Sequence, residues 1–275
     1  MGILFGRIFF SITPFNELQL KFMNYFKKLF GLQKNENQTT ETIEVDMLDK
    51  YRNIPWMTNE RLENISTCLS AGFKPSSSLP TELGRQPRPK IEIAKRLNAI
   101  TSIILWLLST EEDISSEEII NFVATNELDL FLTTDEKQIF SASREDEELQ
   151  NMIGWKFENA WPLAWYLGYT FPDITGEMMT GEQMQQIIYN YTCPLNEKIE
   201  DWIKTIDTVT TEDLMKTEDL FYCLHNAVRS SQMGSQTVPL TFDPVANGGV
   251  IHERRHSLTW MLSEGIKWEE TDLST

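Results

Sequence analysis

The residues with the most distinctive spacing for chemistry form a short run near the C-terminus. His252, Glu253, Arg254, Arg255 and His256 fit the H-E-x-x-H pattern of the helical zinc sites in metallopeptidases. Histidines four residues apart project from one face of a helix, so their rings can share a tetrahedral zinc ion while the glutamate activates a bound water. The spacing by itself therefore suggests a zinc-dependent hydrolase with His252 and His256 as metal ligands.

The surroundings of this run argue against a metal. Both residues between Glu253 and His256 are arginines, and two cations beside a dication weaken its binding. The extended zinc motif would also need glycine at Thr259 and histidine at Leu262, so a third ligand would have to come from acidic residues downstream. We therefore predict no metal and no other cofactor, and we keep the zinc-dependent hydrolase as the alternative.

A second group of polar side chains falls on one face of the helix predicted just before this run. Tyr222, His225 and Arg229 follow Glu218 at four, seven and eleven positions, and Asp219 lies beside that face. All three histidines of the chain belong to this helix or to the H-E-x-x-H run. The two segments therefore contain most of the side chains whose type and spacing could support catalysis or ligand binding.

If the two helices pack against each other, their acidic, imidazole and guanidinium groups meet. We expect Asp219, His225, Glu253 and Arg254 to form one coupled cluster in which a buried carboxylate pairs with Arg254. Such a cluster is either a network that fixes helix register or a ligand site. The pattern favours the network.

The elements that would position these residues are helices. Ile93, Leu97, Ile100, Ile104 and Leu107 recur at alternating steps of four and three, which predicts a core-facing helix starting just after a proline at position 89. Further helix starts are indicated by three capping-box pairs: Ser115 with Glu118, Thr133 with Glu136, and Thr180 with Gln183.

Two further helices are predicted from apolar periods. An acidic run, 145–148, is expected to open a helix that Pro162 kinks or restarts before Gly168 ends it. The apolar residues of the other are Ile199, Trp202, Ile203 and Ile206. Alternating strand patterns are few, and residues 237–242 are the best candidate. We predict an all-α fold, with one compact multi-helix domain over residues 45–275 and few or no strands.

Composition restricts the classes of partner. The chain of 275 residues has 41 acidic and 24 basic side chains, a formal net charge of −17. Such a surface repels phosphate backbones, so we predict no nucleic-acid partner.

The three cysteines are an odd number and form no C-x-x-C pair, which is typical of buried free thiols in a reducing compartment. We therefore predict a cytoplasmic location.

The first 44 residues differ from the rest. The apolar stretch at the start is too short to span a bilayer, and Met23 is a plausible true start of translation. Residues 23–32 form a weakly amphipathic basic segment, for which peripheral membrane contact is an alternative. Residues 33–44 are polar and lack aromatics, which indicates a flexible linker. No transmembrane segment is predicted.

Several segments carry a family resemblance. A tryptophan-rich helix, WKFENAWPLAWYLG, and a C-terminal segment, GGVIHERRHSLTWML, are the most specific of them. From about Leu62 to its end, the chain resembles the bacterial family known as domain of unknown function 4272. The residues that match the family pattern are Arg96, Trp155, Glu158, Ala160, Asp219, Glu253, Arg254, Leu258, Trp260 and Trp268.

Four positions depart from that pattern. Lys156 and Cys223 stand where arginine is usual, Arg255 where histidine is usual, and Thr259 where asparagine is usual. The pattern has an aromatic residue at the position of His252, so the resemblance implies that the H-E-x-x-H match is accidental. It also implies a helical, intracellular bacterial protein, and it brings no established activity.

We therefore predict an acidic, non-catalytic protein that binds another protein or a small ligand through its polar helix pair. The candidate cluster consists of Asp219, Tyr222, His225, Arg229, Glu253, Arg254 and Trp260. The alternative function remains the zinc-dependent hydrolase that uses His252 and His256.

Overall fold

Helices build the fold of the described residues. The computed structural model describes residues 44–81, 85–144 and 146–275. Its α-helices are α1 (Glu44–Arg52), α2 (Asn59–Ser70), α3 (Lys90–Leu108), α4 (Ser116–Thr125), α5 (Thr134–Ile139), α6 (Glu147–Met152), α7 (Gly154–Tyr166), α8 (Gly181–Asn190), α9 (Ile199–Trp202), α10 (Thr211–Gln232) and α11 (Ala246–Met261). Within these residues no strand forms, and Gln86 and Ser263 make an isolated bridge. The predicted all-α fold is confirmed, and residues 237–242 form no strand but an irregular segment with one turn.

The central helix is α3, which begins directly after Pro89 as predicted. The five aliphatic residues of its predicted stripe are all buried, and polar side chains such as Arg96 and Asn98 on its other faces are buried too. A helix buried on most of its circumference needs neighbours on several sides. In the described residues these include α4, α7 and the 3₁₀ turn Leu128–Phe131.

The helices that carry the polar residues stand side by side. α2 packs on α10, α10 on α11, α11 on α7, and α7 on α3. Two glycines allow α11 to approach its neighbours closely. A Cβ at Gly248 would lie 2.7 Å from Val228 of α10, and one at Gly249 would lie 2.6 Å from Trp155 of α7. Because real Cβ atoms do not come this close to other atoms, side chains at these positions would push the helices apart.

The three predicted capping boxes are confirmed at the starts of α4, α5 and α8. In each one the Ser or Thr oxygen accepts from the backbone N–H three residues later, and the Glu or Gln side chain accepts from the backbone N–H of the cap residue. These pairs satisfy backbone donors that a helix start leaves unpaired. Local sequence therefore fixes these boundaries.

Two helix predictions need correction. The helix expected from the acidic run is divided, because α6 ends at Met152 and α7 starts afresh at Gly154, a poor helix former. α7 then runs through Pro162 without a second start, and Gly168 follows it at a φ of +101°. The other predicted helix is only the short α9 followed by the 3₁₀ turn Ile203–Thr205.

The described residues belong to one compact unit, Asn37–Thr275. None of the helices in this part of the chain is long and apolar enough to cross a membrane. The three cysteines are buried and free. The predictions for residues 1–43, including the basic segment 23–32 and the linker, lie outside the described residues.

Candidate functional site

The packed pair α10 and α11 brings polar side chains together. We call this group the polar centre. It consists of Glu218, Tyr222 and His225 of α10, His252, Arg255 and Thr259 of α11, and Arg85 from the segment before α3. In both helices the members recur at steps of three and four, so each helix presents them on one face.

His225 lies at the middle of the polar centre as a neutral imidazole. Its Nδ1 lies 2.6 Å from Nη1 of Arg255, and its Nε2 lies 3.3 Å from Nδ1 of His252. A guanidinium can only donate, so Nδ1 of His225 is the acceptor and its Nε2 carries the proton. Burial, and then the positive charge of Arg255, lower the pKa of His225 to about 3.

Glu218 supplies the negative charge of the polar centre. Its Oε1 accepts from Nη1 of Arg85 at 2.9 Å and from Oγ1 of Thr259 at 2.8 Å. Nε of Arg255 lies 3.9 Å from the same oxygen, which is too far for a hydrogen bond. That Nε is buried and has no hydrogen-bond partner among the described residues. The ring of Tyr222 packs against the Arg255 guanidinium, with its centroid 4.6 Å from the guanidinium carbon.

Asp219 faces α2 instead of α11. Nε of Arg61 donates to its two oxygens at 2.8 and 2.9 Å, and Nδ2 of Asn64 donates to Oδ2 at 2.8 Å. Arg61 is almost fully buried, and it also donates to the backbone oxygens of Leu79 and Pro80. This ion pair therefore ties α2 and the loop after it to α10.

Arg254 faces α7, about 100° around the axis of α11 from Arg255. Its Nε donates to Oε2 of Glu158 at 2.8 Å, and both side chains are fully buried. Its terminal nitrogens donate to the backbone oxygens of Asp173 and Glu177, and its guanidinium carbon lies 4.5 Å from the Trp161 ring centroid. The pair joins α11, α7 and the loop of residues 173–179.

These contacts divide the predicted cluster. The expected coupling of Asp219 with Arg254 is wrong, because Asp219 pairs with Arg61 and Arg254 pairs with Glu158. Successive residues of a helix point about 100° apart, so Arg254 and Arg255 cannot face the same neighbour. Arg255 has the position next to His225 that was expected for Arg254.

The other predicted cluster residues lie apart from the polar centre's contacts. The Glu253 carboxylate accepts from Nδ2 of Asn159 on α7 at 2.8 Å. Arg229 donates to Gln232 near the exposed end of α10. The Trp260 ring lies under the guanidinium of Arg88, whose carbon is 4.1 Å from the ring centroid.

A groove opens on the far side of α10. Its volume is about 980 Å³, and its walls come from α2, the end of α7, residues 171–174 and 208–210, and the start of α10. Phe171 stands at this groove with 47% of its surface exposed. It contacts the buried Trp165 edge to face, with ring centroids 5.6 Å apart.

The two histidines of the H-E-x-x-H run have separate neighbours. His252 faces His225, whereas Nε2 of His256 donates to the backbone oxygen of Trp268 at 2.9 Å and its ring stacks on the Trp268 indole. A nitrogen that carries the proton of a hydrogen bond cannot also bind zinc. In the described residues no group of three or more His, Cys, Asp or Glu side chains is placed to hold a metal ion.

A family model described as Domain of unknown function (DUF4272) matches residues 61–271. The chain belongs to this family. No significant match is found among curated proteins or among solved structures. The region that matches the DUF4272 family runs from Arg61 almost to the end of the chain, so it contains the polar centre and the groove. The family description gives no activity.

We expect this DUF4272 protein to retain no stoichiometric zinc after dialysis without chelator. Catalytic zinc sites usually have three protein ligands, and here His252 and His256 face different partners. Elemental analysis is the measurement. One zinc per chain, lost in both His252→Ala and His256→Ala, would contradict this expectation. If Glu253→Gln then kept the metal and abolished a hydrolysis, the zinc-dependent hydrolase would be supported.

Some of the residues that organise this DUF4272 site are not among those predicted from the sequence. Arg61 and Glu158 were not assigned a role, although each is a single charge on an otherwise buried face of a helix. That feature is a usable signal, because a buried charge needs a partner. Phe171 had a weaker signal, an aromatic residue in the loop that follows Gly168.

Proposed function

We propose that this protein is a non-catalytic binding module whose ligand is a short segment of another protein that occupies the groove. The observation that carries the proposal is Phe171, a half-exposed aromatic residue fixed against Trp165 at the groove. Exposed aromatic rings in a concave surface are typical anchors for partners, because they bury a large area with little loss of side-chain freedom.

The size and the lining of the groove favour a peptide segment over a compact molecule. Its volume of about 980 Å³ is at the upper end of the range for small-ligand pockets. The walls mix apolar side chains with the carboxylates of Asp173 and Asp213 and the ammonium group of Lys216, which pairs with Glu63. Since the whole chain is acidic, a segment with one apolar anchor and basic flanks fits best.

Buried ion pairs hold the walls of the groove in place. Arg254 donates to the backbone of Asp173 on one wall. On the other wall, Asn64 donates to the Lys216 backbone oxygen at 2.9 Å and to Asp219. Walls fixed before binding lose little conformational freedom when a ligand arrives, which favours affinity. In this proposal the arginine pairs support a binding surface and take no part in chemistry.

A random twelve-residue peptide library displayed on phage tests the proposal. We expect selection on the full chain to enrich peptides with an aromatic or aliphatic anchor near Lys or Arg. Phe171→Ala should weaken their binding about tenfold or more, the loss expected when an anchor residue of an interface is truncated.

The matched control is Tyr189→Ala, which removes an exposed aromatic of α8 that does not line the groove. This variant should bind the selected peptides as the unmodified chain does. Equal binding by Phe171→Ala, or no enrichment over the starting library, would contradict the proposed function.

A further inference from the structure

The last residues of the chain cover the polar centre. We call residues 271–275 the tail; they follow the 3₁₀ turn Trp268–Glu270 without regular structure. The backbone oxygen of Leu273 accepts from Nη1 of Arg255 at 2.9 Å, and that of Ser274 accepts from Nη2 at 3.1 Å. Arg255 is fully buried, so the tail is one of the layers that separate it from water.

Two consecutive carbonyl oxygens thus occupy the edge of the Arg255 guanidinium that Nη1 and Nη2 form, which we call its two-nitrogen edge. This is the edge that binds the two oxygens of a carboxylate or phosphate in bidentate pairs. A carbonyl carries only a partial charge and leaves a buried guanidinium incompletely compensated. Among the described residues, the carboxylate nearest to this guanidinium is that of Glu218, which stays 3.9 Å from Nε and is already bonded to Arg85 and Thr259.

The carboxylate of Asp272, in the tail, interacts with the positive charge of the polar centre. Hydrogen bonds from Ser274, and then the charges of Arg255 and Arg85, lower the pKa of Asp272. His225 accepts from Arg255 as a neutral ring, so it brings no negative charge to this guanidinium.

We propose that the polar centre is a binding site for an oxyanion, the carboxylate or phosphate group of a ligand, and that the tail occupies this site until the ligand displaces it. Arg255 is the residue that grips the oxyanion, and His225 fixes the orientation of its guanidinium. The site lies between α10 and α11 and does not depend on the groove proposed above.

Titration of the full chain with inorganic phosphate and, separately, with acetate tests this site. We expect one of the two anions to give a saturable shift of the His225 ring signals in NMR spectra, and carboxypeptidase to trim the tail faster in its presence. The anion that binds more tightly, phosphate or acetate, identifies the kind of oxyanion that the site accepts. Asp272→Asn removes a competing charge and should tighten binding about threefold to tenfold.

The matched control is Glu269→Gln, which removes an equal charge from an exposed residue of the preceding turn. It should leave anion binding unchanged. Arg255→Lys keeps the charge but loses the two-nitrogen edge, so it should weaken binding at least about tenfold. If that variant does not fold, the pair Asp272→Asn and Glu269→Gln decides. No saturable shift with either anion, equal effects of that pair, or trimming that anions do not change would overturn the proposal.

Discussion

Arg254→Ala is expected to lower the free energy of unfolding by about 3 to 5 kcal/mol, the cost of leaving one member of a buried ion pair without its partner. Glu158 would lose its guanidinium while remaining fully buried, and two backbone oxygens of the 173–179 loop would lose their donor. Burial already raises the pKa of Glu158 against the opposing charge of Arg254, so the lone carboxyl would take up a proton more readily. Urea unfolding at neutral pH measures the loss.

Arg229→Ala is the matched control, because this arginine is exposed and donates to Gln232. It should change stability by no more than about 0.5 kcal/mol. Double-mutant cycles separate the two possible partners of Arg254. Coupling above about 1 kcal/mol is expected with Glu158, and additivity within about 0.5 kcal/mol with Asp219. The reverse pattern would contradict the separation of the two ion pairs.

Mild acid is expected to destabilise the protein through His225. The pKa of this histidine falls from an ordinary 6.5 to about 3 in the fold. Below pH 6.5 the unfolded chain binds a proton that the folded chain does not, so this contribution is fully present above pH 6.5 and is lost as the pH falls towards 3. From pH 7.5 to pH 5, His225 should account for a loss of about 2 kcal/mol in the free energy of unfolding.

His225→Gln tests this assignment, because a glutamine amide oxygen can still accept from Arg255 but does not titrate. The variant should lose about 2 kcal/mol less between pH 7.5 and pH 5 than the unmodified chain. His256→Gln is the matched control, because burial also lowers the pKa of His256. In this variant the loss of stability assigned to His225 between pH 7.5 and pH 5 should remain. An unchanged pH dependence in His225→Gln would show that this ring is not held neutral.

Local sequence signals predicted helix starts better than they predicted the polar contacts. The capping boxes and the stripe of α3 depend on residues three or four apart, and periodicity detects that spacing directly. The arginine pairs depend on residues far apart: Arg61 and Asp219 are 158 positions apart, and Glu158 and Arg254 are 96. Periodicity gives the face on which a side chain lies but not the helix that meets that face.

The predicted coupling of Asp219 with Arg254 is wrong for the same reason. The α10 and α11 helices were expected to pack, and they do, but α10 also contacts α2 and α11 also contacts α7. A polar residue of α10 or α11 could therefore face either of two neighbouring helices. The prediction considered only the interface between α10 and α11. Asp219 and Arg254 were assigned to the shared interface although each faces outward from it to a third helix.

The consecutive arginines of α11 fix the rotation of that helix about its own axis. Apolar surface alone tolerates a range of rotations about the helix axis, since hydrophobic contact is not directional. Arg254 requires the carboxylate of α7 and Arg255 requires the acceptors of α10 and the tail, about 100° away around the axis. A turn by one residue would bring each guanidinium to the wrong neighbour and leave two buried charges unpaired. Only one rotational setting of α11 is therefore compatible with a folded core.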